Sequence, residues 1–406
     1  MAPISRRKML GYTGATAGVI GVGGIAASCS TDDDSSAGSA STSGTIFAFR
    51  GEHQAGVASP QSASGIVLAL DLRVDTREEL RETFIELSDS IEKVMSGEAY
   101  ESRDGGFPAY DSGILGAEPG ATSTAVVVAY GNDLFDDRFG LADRKPVELQ
   151  RMPHFDNDFM VTEERSHGDL LLTVTADSNE ASQHAIRQIL RETRGKFVPR
   201  WTQDGFANLI PDAGPGEAPM RNLMGFKDGT ANLDHNDDAA LNDLVWIQDG
   251  DGQPDWALGG TYQAVRVIRM QNEFWDRTRL NEQEAIFGRH RASGAPLGGA
   301  HETDTPVFVD LESHIARANP RTPGSERSLM LRKGFNYAKG FDQNDQLDQG
   351  LIFISFQRSL VEGFIAVQNR LNGEVLEEYV RPQGGGLYFA PPAPAIGEFL
   401  GERLLA

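Results

Sequence analysis

One order of elements occurs twice along this chain of 406 residues. In the first half, Gly65-Ile66-Val67-Leu68-Ala69-Leu70-Asp71-Leu72 reads as a buried strand. Residues 76–94 follow as a helix, with Leu80, Phe84, Leu87 and Ile91 recurring at helical spacing. Residues 125–130 and 170–175 read as further strands. Residues 179–193 read as a second helix, with Ala185, Ile186, Ile189 and Leu190 on one face. The second half repeats the order. Residues 262–270 form a strand whose apolar members are Ala264, Val265, Val267 and Ile268, and residues 281–287 are helical. A strand at 351–356, a helix at 360–371 carrying Phe364, Val367 and Leu371, and a strand at 386–390 complete it. Strand–helix–strand used twice in each half predicts a duplicated α+β unit of the split β-α-β kind. The Pro/Gly-rich stretch 211–219 is the expected linker, so the halves are set at 45–215 and 216–406.

The residues before this pattern do not share it. Ser5-Arg6-Arg7-Lys8-Met9-Leu10 has the twin-arginine form, with Met9 where Phe is more usual, and a Gly/Ala/Val run follows to Ala27. That run is rich in glycine and barely long enough to span a bilayer, which favours a cleaved export signal (1–28) over a transmembrane helix. Cys29 is the only cysteine, so no intramolecular disulfide can form. It stands where a lipoprotein signal places its lipidated cysteine, although Ala26 occupies the position commonly held by Leu. The other reading is cleavage near Ala27 with an incidental cysteine. Residues 29–44, rich in Ser, Asp, Gly and Thr, read as a flexible tether. The net charge of −22 argues against nucleic acid and anionic membrane surfaces as partners.

Chemistry concentrates in the second half. Met220-Arg221-Asn222-Leu223-Met224-Gly225-Phe226-Lys227-Asp228-Gly229-Thr230 places the carboxylate of Asp228 in an apolar and amide-rich setting. Asp-Gly alone is a common turn pair. Downstream, Ser313-His314-Ile315-Ala316-Arg317-Ala318-Asn319-Pro320-Arg321 supplies an imidazole, and Arg332 follows His314 by eighteen residues. The eight histidines include no i,i+4 pair on a plausible helix, and there is no thiol cluster, so a structural zinc site is not expected.

The Gly225-to-Gly229 motif, the His314–Arg332 spacing and Asn319-Pro320-Arg321 resemble the dye-decolourising peroxidases, in particular the secreted deferrochelatase/peroxidase branch of bacterial iron-uptake systems. The likeness extends to Gly51-Glu52-His53-Gln54-Ala55-Gly56, Phe274-Trp275-Asp276-Arg277-Thr278, Gly294-Ala295-Pro296-Leu297-Gly298 and residues 346–392. It implies two ferredoxin-like domains with antiparallel sheets, of the dimeric α/β barrel type, and one haem per chain. A single imidazole suits haem because the porphyrin supplies the other four nitrogens, and the absence of CxxCH makes it non-covalent haem b.

By the same resemblance His314 is the proximal iron ligand, Asp228 the proton shuttle for hydrogen peroxide and Arg332 the stabiliser of the departing oxygen. Gly229, Thr230, Ala231, Asn319, Pro320 and Arg321 line the haem, with Arg321 able to meet a propionate. The carboxylate expected behind His314 is assigned to Glu378, with Glu377 and Glu374 as neighbouring candidates. Trp201, Trp246, Trp256, Trp275, Tyr337 and Tyr388 are relay candidates, though core packing accounts for most aromatics. Expected partners are hydrogen peroxide, an organic reductant and iron-uptake components. Iron release that spares the porphyrin ring is the rival activity.

Overall fold

The computed structural model describes residues 44–307 and 311–406. The twin-arginine segment, Cys29 and the tether as far as residue 43 lie outside the described residues. A one-turn helix α1 (Ala55–Ala58) comes first. Then follow β1 (Ser64–Leu72), α2 (Arg77–Ser96), β2 (Ala125–Gly131), β3 (Leu170–Ala176), α3 (Asn179–Glu192) and β4 (Phe197–Phe206). A hairpin of β5 (Met220–Arg221) and β6 (Lys227–Asp228) and the helix α4 (Asp238–Leu244) lead to the second half. That half comprises β7 (Thr261–Met270), α5 (Asn272–Trp275), α6 (Leu280–Phe287), α7 (His314–Ala318) and β8 (Leu331–Arg332). It continues with β9 (Phe335–Phe341), β10 (Leu347–Gln357), α8 (Ala366–Leu371) and β11 (Val380–Ala390), and α9 (Glu402–Leu405) follows.

The strands lie in the order β4-β1-β3-β2 in one half and β11-β7-β10-β9 in the other. Counted along the chain within each half, both orders read 4-1-3-2, and every pairing is antiparallel. Two seams join the sheets: Tyr388 and Phe389 of β11 face Gly131 and Tyr130 of β2, and Phe206 of β4 faces Asn336 of β9. These eight strands close into a barrel, which removes their free edges. The fold is a duplicated ferredoxin-like α+β barrel.

The period of two along each strand sorts its side chains into two layers. On β1, Val67 and Ala69 face one apolar cluster, while Leu68 and Leu70 face the other. The second cluster is closed by Leu80, Phe84, Leu87 and Ile91 of α2 and Ala185 and Ile189 of α3. A reciprocal Thr76–Glu79 capping box starts α2, satisfying backbone N–H groups that the first turn leaves open.

Three features depart from the sequence pattern. The strand β4 is hidden in sequence by Pro199, which sits at a register irregularity opposite Leu70. The strand β9 carries Asn336, Lys339 and Gly340 and lacks an apolar run. The expected continuous helix 360–371 is a widened π turn, Val361–Ile365, followed by α8; Gly363 there leaves helical geometry (φ −85°, ψ −106°).

Candidate active site

One cavity of about 290 Å³ brings Asp228, His314 and Arg332 together, though they come from three separate segments. Its apolar wall includes Leu351 and Phe353 of β10 and Ile268 of β7, and α7 and α8 contribute the opposite side.

His314 opens α7, a helix too short to be stable alone. Neighbours hold it. Arg370 donates to the carbonyls of Arg317 (3.1 Å) and Ala318 (3.1 Å), and Arg317 donates to that of Asn372 (2.8 Å). Gly288, at φ +84°, ends α6 against this helix; a Cβ there would stand 2.8 Å from both Ile315 Cγ1 and Ser313 Oγ.

The carboxylate behind His314 is Glu374, whose Oε2 lies 2.8 Å from Nδ1. Glu378, the residue assigned from the sequence, is exposed and makes no such contact. The reason lies in the backbone. Two acids four residues apart share a face only on a continuous α-helix, but α8 stops at Leu371 and residues 375–378 form a 3₁₀ turn. Glu374 enters that turn buried, while Glu378 leaves it facing solvent. With a carboxylate as partner, Nδ1 carries the proton and donates it, so the Nε2 lone pair is free for a metal. Burial alone would lower the imidazole pKa. The charge and hydrogen bond of Glu374, together with the charge of Asp228, outweigh it and raise the value.

Asp228 ends the β5–β6 hairpin. Asn222 donates its side-chain N–H to Asp228 Oδ2 (3.1 Å), and its Oδ1 accepts from the backbone N–H groups of Met224 and Phe226. Phe226 is buried and stacks on Phe287, with ring centroids 4.0 Å apart, which fixes the hairpin to the core. Gly229, at φ +103°, lets the chain turn against Pro219; a Cβ there would meet Pro219 Cδ at 2.7 Å. The 211–219 stretch thus packs on the site as well as joining the halves in sequence. Arg332, on β8, donates from Nη2 to the carbonyl of Thr230 (2.8 Å), and its backbone exchanges two hydrogen bonds with the Asn232 side chain. Burial lowers its pKa, opposed by the charge of Asp228, yet a guanidinium remains charged.

Thr230, Ala231, Asn319 and Arg321 line the cavity with Gly229, whereas Pro320 is not part of the lining. Ala231 and Arg321 adopt φ +56° and +55°, left-handed conformations uncommon for non-glycine residues and concentrated at functional sites. Arg289 also lines the cavity and was not singled out in the sequence. Its pKa is lowered by burial and then by the positive charges of Arg321 and Arg332, so the three guanidiniums crowd one region. Crowded cations beside an apolar slot call for an anionic, largely apolar occupant, and a porphyrin with two propionates has that chemistry. Among the described residues no group of three or more His, Cys, Asp or Glu could hold a metal by itself. A lone imidazole opening into such a slot fits haem iron. The six relay-candidate aromatics are all buried, from Trp201 at 8% exposure to Tyr388 at 0%.

Sequence models of the Dyp-type peroxidase N-terminal and C-terminal regions match residues 54–207 and 219–395. A deferrochelatase of Yersinia pseudotuberculosis is 41% identical over 418 residues, covering 100% of this chain and 95% of its own. A deferrochelatase of Escherichia coli O157:H7 is 42% identical over 88% of this chain and 86% of its own. The crystal structure of a DyP-type peroxidase from Cellulomonas bogoriensis superposes with a TM-score of 0.78 at 33% identity, over 89% of this chain and 98% of that one. Ferric DtpA from Streptomyces lividans gives 0.79 at 31% identity, over 89% and 97%.

Proposed function

The chain belongs to the Dyp-type peroxidase family, which are haem-dependent enzymes, and from that premise we propose how its residues divide the work. The protein is a haem peroxidase that uses hydrogen peroxide to oxidise an organic reductant. When bound, haem would supply the redox chemistry, a two-electron reduction of peroxide balanced by two one-electron oxidations of the reductant.

In our reading the haem is b-type, non-covalent and one per chain. His314 would hold the iron through the Nε2 that faces away from Glu374, which fixes the imidazole's orientation and raises its basicity. Asp228 takes a proton from one peroxide oxygen and returns it to the other. Arg332 keeps a fixed positive charge beside the departing oxygen, where a preorganised charge costs no reorganisation during the reaction. Arg289 and Arg321 answer the propionates, and Gly229, Thr230, Ala231 and Asn319 shape the slot with Pro320 between the lining residues. The observation that carries this reading is the Glu374-supported His314 opening into the same cavity as Asp228 and Arg332. The purified protein is expected to show a Soret band that His314→Ala loses or shifts. An unaltered band in that variant would remove His314 from the iron.

A second reading, iron release leaving protoporphyrin intact, is supported by the deferrochelatase name of relatives that share 41–42% identity. Product analysis separates the two: oxidised dye with peroxide against metal-free porphyrin. We further propose export by the twin-arginine route (1–28), an extracytoplasmic location, lipidation at Cys29, a tether at 29–44 and work alongside iron-uptake components. The support for these is the N-terminal sequence pattern and the relatives' names.

A further inference from the structure

We propose that Glu302 is the positioning residue of this site, a buried carboxylate that grips the chain on both sides of Asp228 and links that grip to Arg332. The proposal rests on the reading of Asp228 and Arg332 given above. Glu302 lies outside every motif singled out in the sequence, and its side chain is only 3% exposed.

Each of its oxygens is committed. Oε2 pairs with the ammonium of Lys227, the residue before Asp228. Oε1 accepts from the hydroxyl of Thr230, two residues after Asp228 (2.7 Å), and from the backbone N–H of Ala218 (2.7 Å). Ala218 precedes Pro219, the residue on which Gly229 closes. One carboxylate therefore fixes residues 227 and 230 and the stretch behind them. The carbonyl of the same Thr230 accepts from Arg332 Nη2 (2.8 Å), so the grip passes to the second reacting side chain. The Glu302 backbone carbonyl accepts from Arg289 Nη1 (3.0 Å), extending the connection to the cationic wall.

The arrangement is consistent with an ionised clamp. Burial alone would raise the Glu302 carboxyl pKa; Lys227, Thr230 and the Ala218 N–H together hold it below its ordinary value. A buried ion pair is weak evidence for stability, because desolvation offsets the attraction. Its well-attested use is to fix one arrangement. Here the arrangement fixed is the segment that carries Asp228.

The test uses the full chain with haem, and the haem-free protein in parallel. Glu302→Gln keeps the size and one acceptor oxygen but turns an amide towards Lys227. In hydrogen–deuterium exchange, with or without haem, amides of 216–231 are expected to lose protection. In stopped flow, reaction with hydrogen peroxide is expected to slow by roughly tenfold or more, the scale of losing one hydrogen bond to a charged group. KM for the organic reductant is expected to stay unchanged. Thr230→Val cuts only the hydroxyl arm, so it tests the clamp even if Glu302→Gln does not fold; a slower reaction with peroxide at an unchanged KM for the reductant is expected. A wild-type rate in Thr230→Val, or wild-type exchange and peroxide rate in haem-loaded Glu302→Gln, overturns the proposal. Loss of haem from wild type and variants alike overturns instead the reading of the site.

Discussion

In the first half of the barrel, α2 and α3, of 20 and 14 residues, cover one face of the sheet and bury a continuous apolar layer. In the second half the corresponding cover is broken into α6, α7, a π turn and α8, none longer than eight residues. The strand order is the same in both. Both halves pair arginines with acids, as in Arg138 with Asp169 (2.5 Å) and Arg269 with Asp342 (2.8 Å). The second half turns Arg289, Arg321 and Arg332 to the cavity. One topology thus serves as a packed support where its helices are complete and as a reactive slot where they are interrupted. Interrupted helices expose an apolar sheet face that something else must cover, and they bring side chains from loops to its edge.

The contrast can be broken most sharply in the second half. Asp228→Asn or Arg332→Leu should slow the reaction with peroxide by about two to three orders of magnitude while haem stays bound, the scale expected for removing a general base or a charge stabiliser. Stopped-flow traces at the wild-type rate would show that the slot works without them.

The seam between the halves gives the next largest effect. Lys333 is buried, and its ammonium donates to the carbonyls of Gly56 and Ser59 and to the Ser59 hydroxyl, with no carboxylate partner among them. Burial pushes its pKa from 10.5 down to about 7. Between those two values the unfolded chain binds the proton that the folded chain has released, so stability rises with pH. Equivalently, this contribution is complete above about 10.5 and is lost as pH falls through about 7. Denaturation of wild type compared with Lys333→Met should show the difference, with a slope of at most about 1.4 kcal/mol per pH unit. Equal slopes would remove Lys333 from the seam's energetics.

The smallest effect belongs to the first half. Ile91→Val, at a fully buried position on α2, should cost about 0.5–1.5 kcal/mol of stability and leave the Soret band and the peroxide rate unchanged. A changed spectrum would mean that the support and the slot are not separable.

Much of this was legible in the residues. Regular apolar spacing marked α2, α3, β1 to β3 and β7 within a residue or two, because those elements bury one face or both in a core. Elements without that periodicity were not visible. The strand β4 is broken by Pro199 and β9 is exposed from Ala338 to Phe341, so pairing across the barrel, and not local preference, makes them strands. At the site, Asp228, His314 and Arg332 stood out by motif and spacing. Glu374 was one acid among three close together, and the choice depended on where α8 ended. Asn222 lay within the motif but without a role. Arg289 and Glu302 carried no local signal, since their partners lie between five and 84 positions away in the chain.

By itself the sequence determined the duplicated α+β pattern, the family to which the chain belongs and three residues that meet in its cavity. Those properties follow from short-range periodicity and from side-chain identity. Only the tertiary structure decided which strand edges meet to close the barrel and that Glu374 stands behind His314. It alone showed that Glu302 holds both flanks of Asp228. Each of these is a meeting of distant segments, settled by which backbone groups and buried charges find partners when the chain closes on itself.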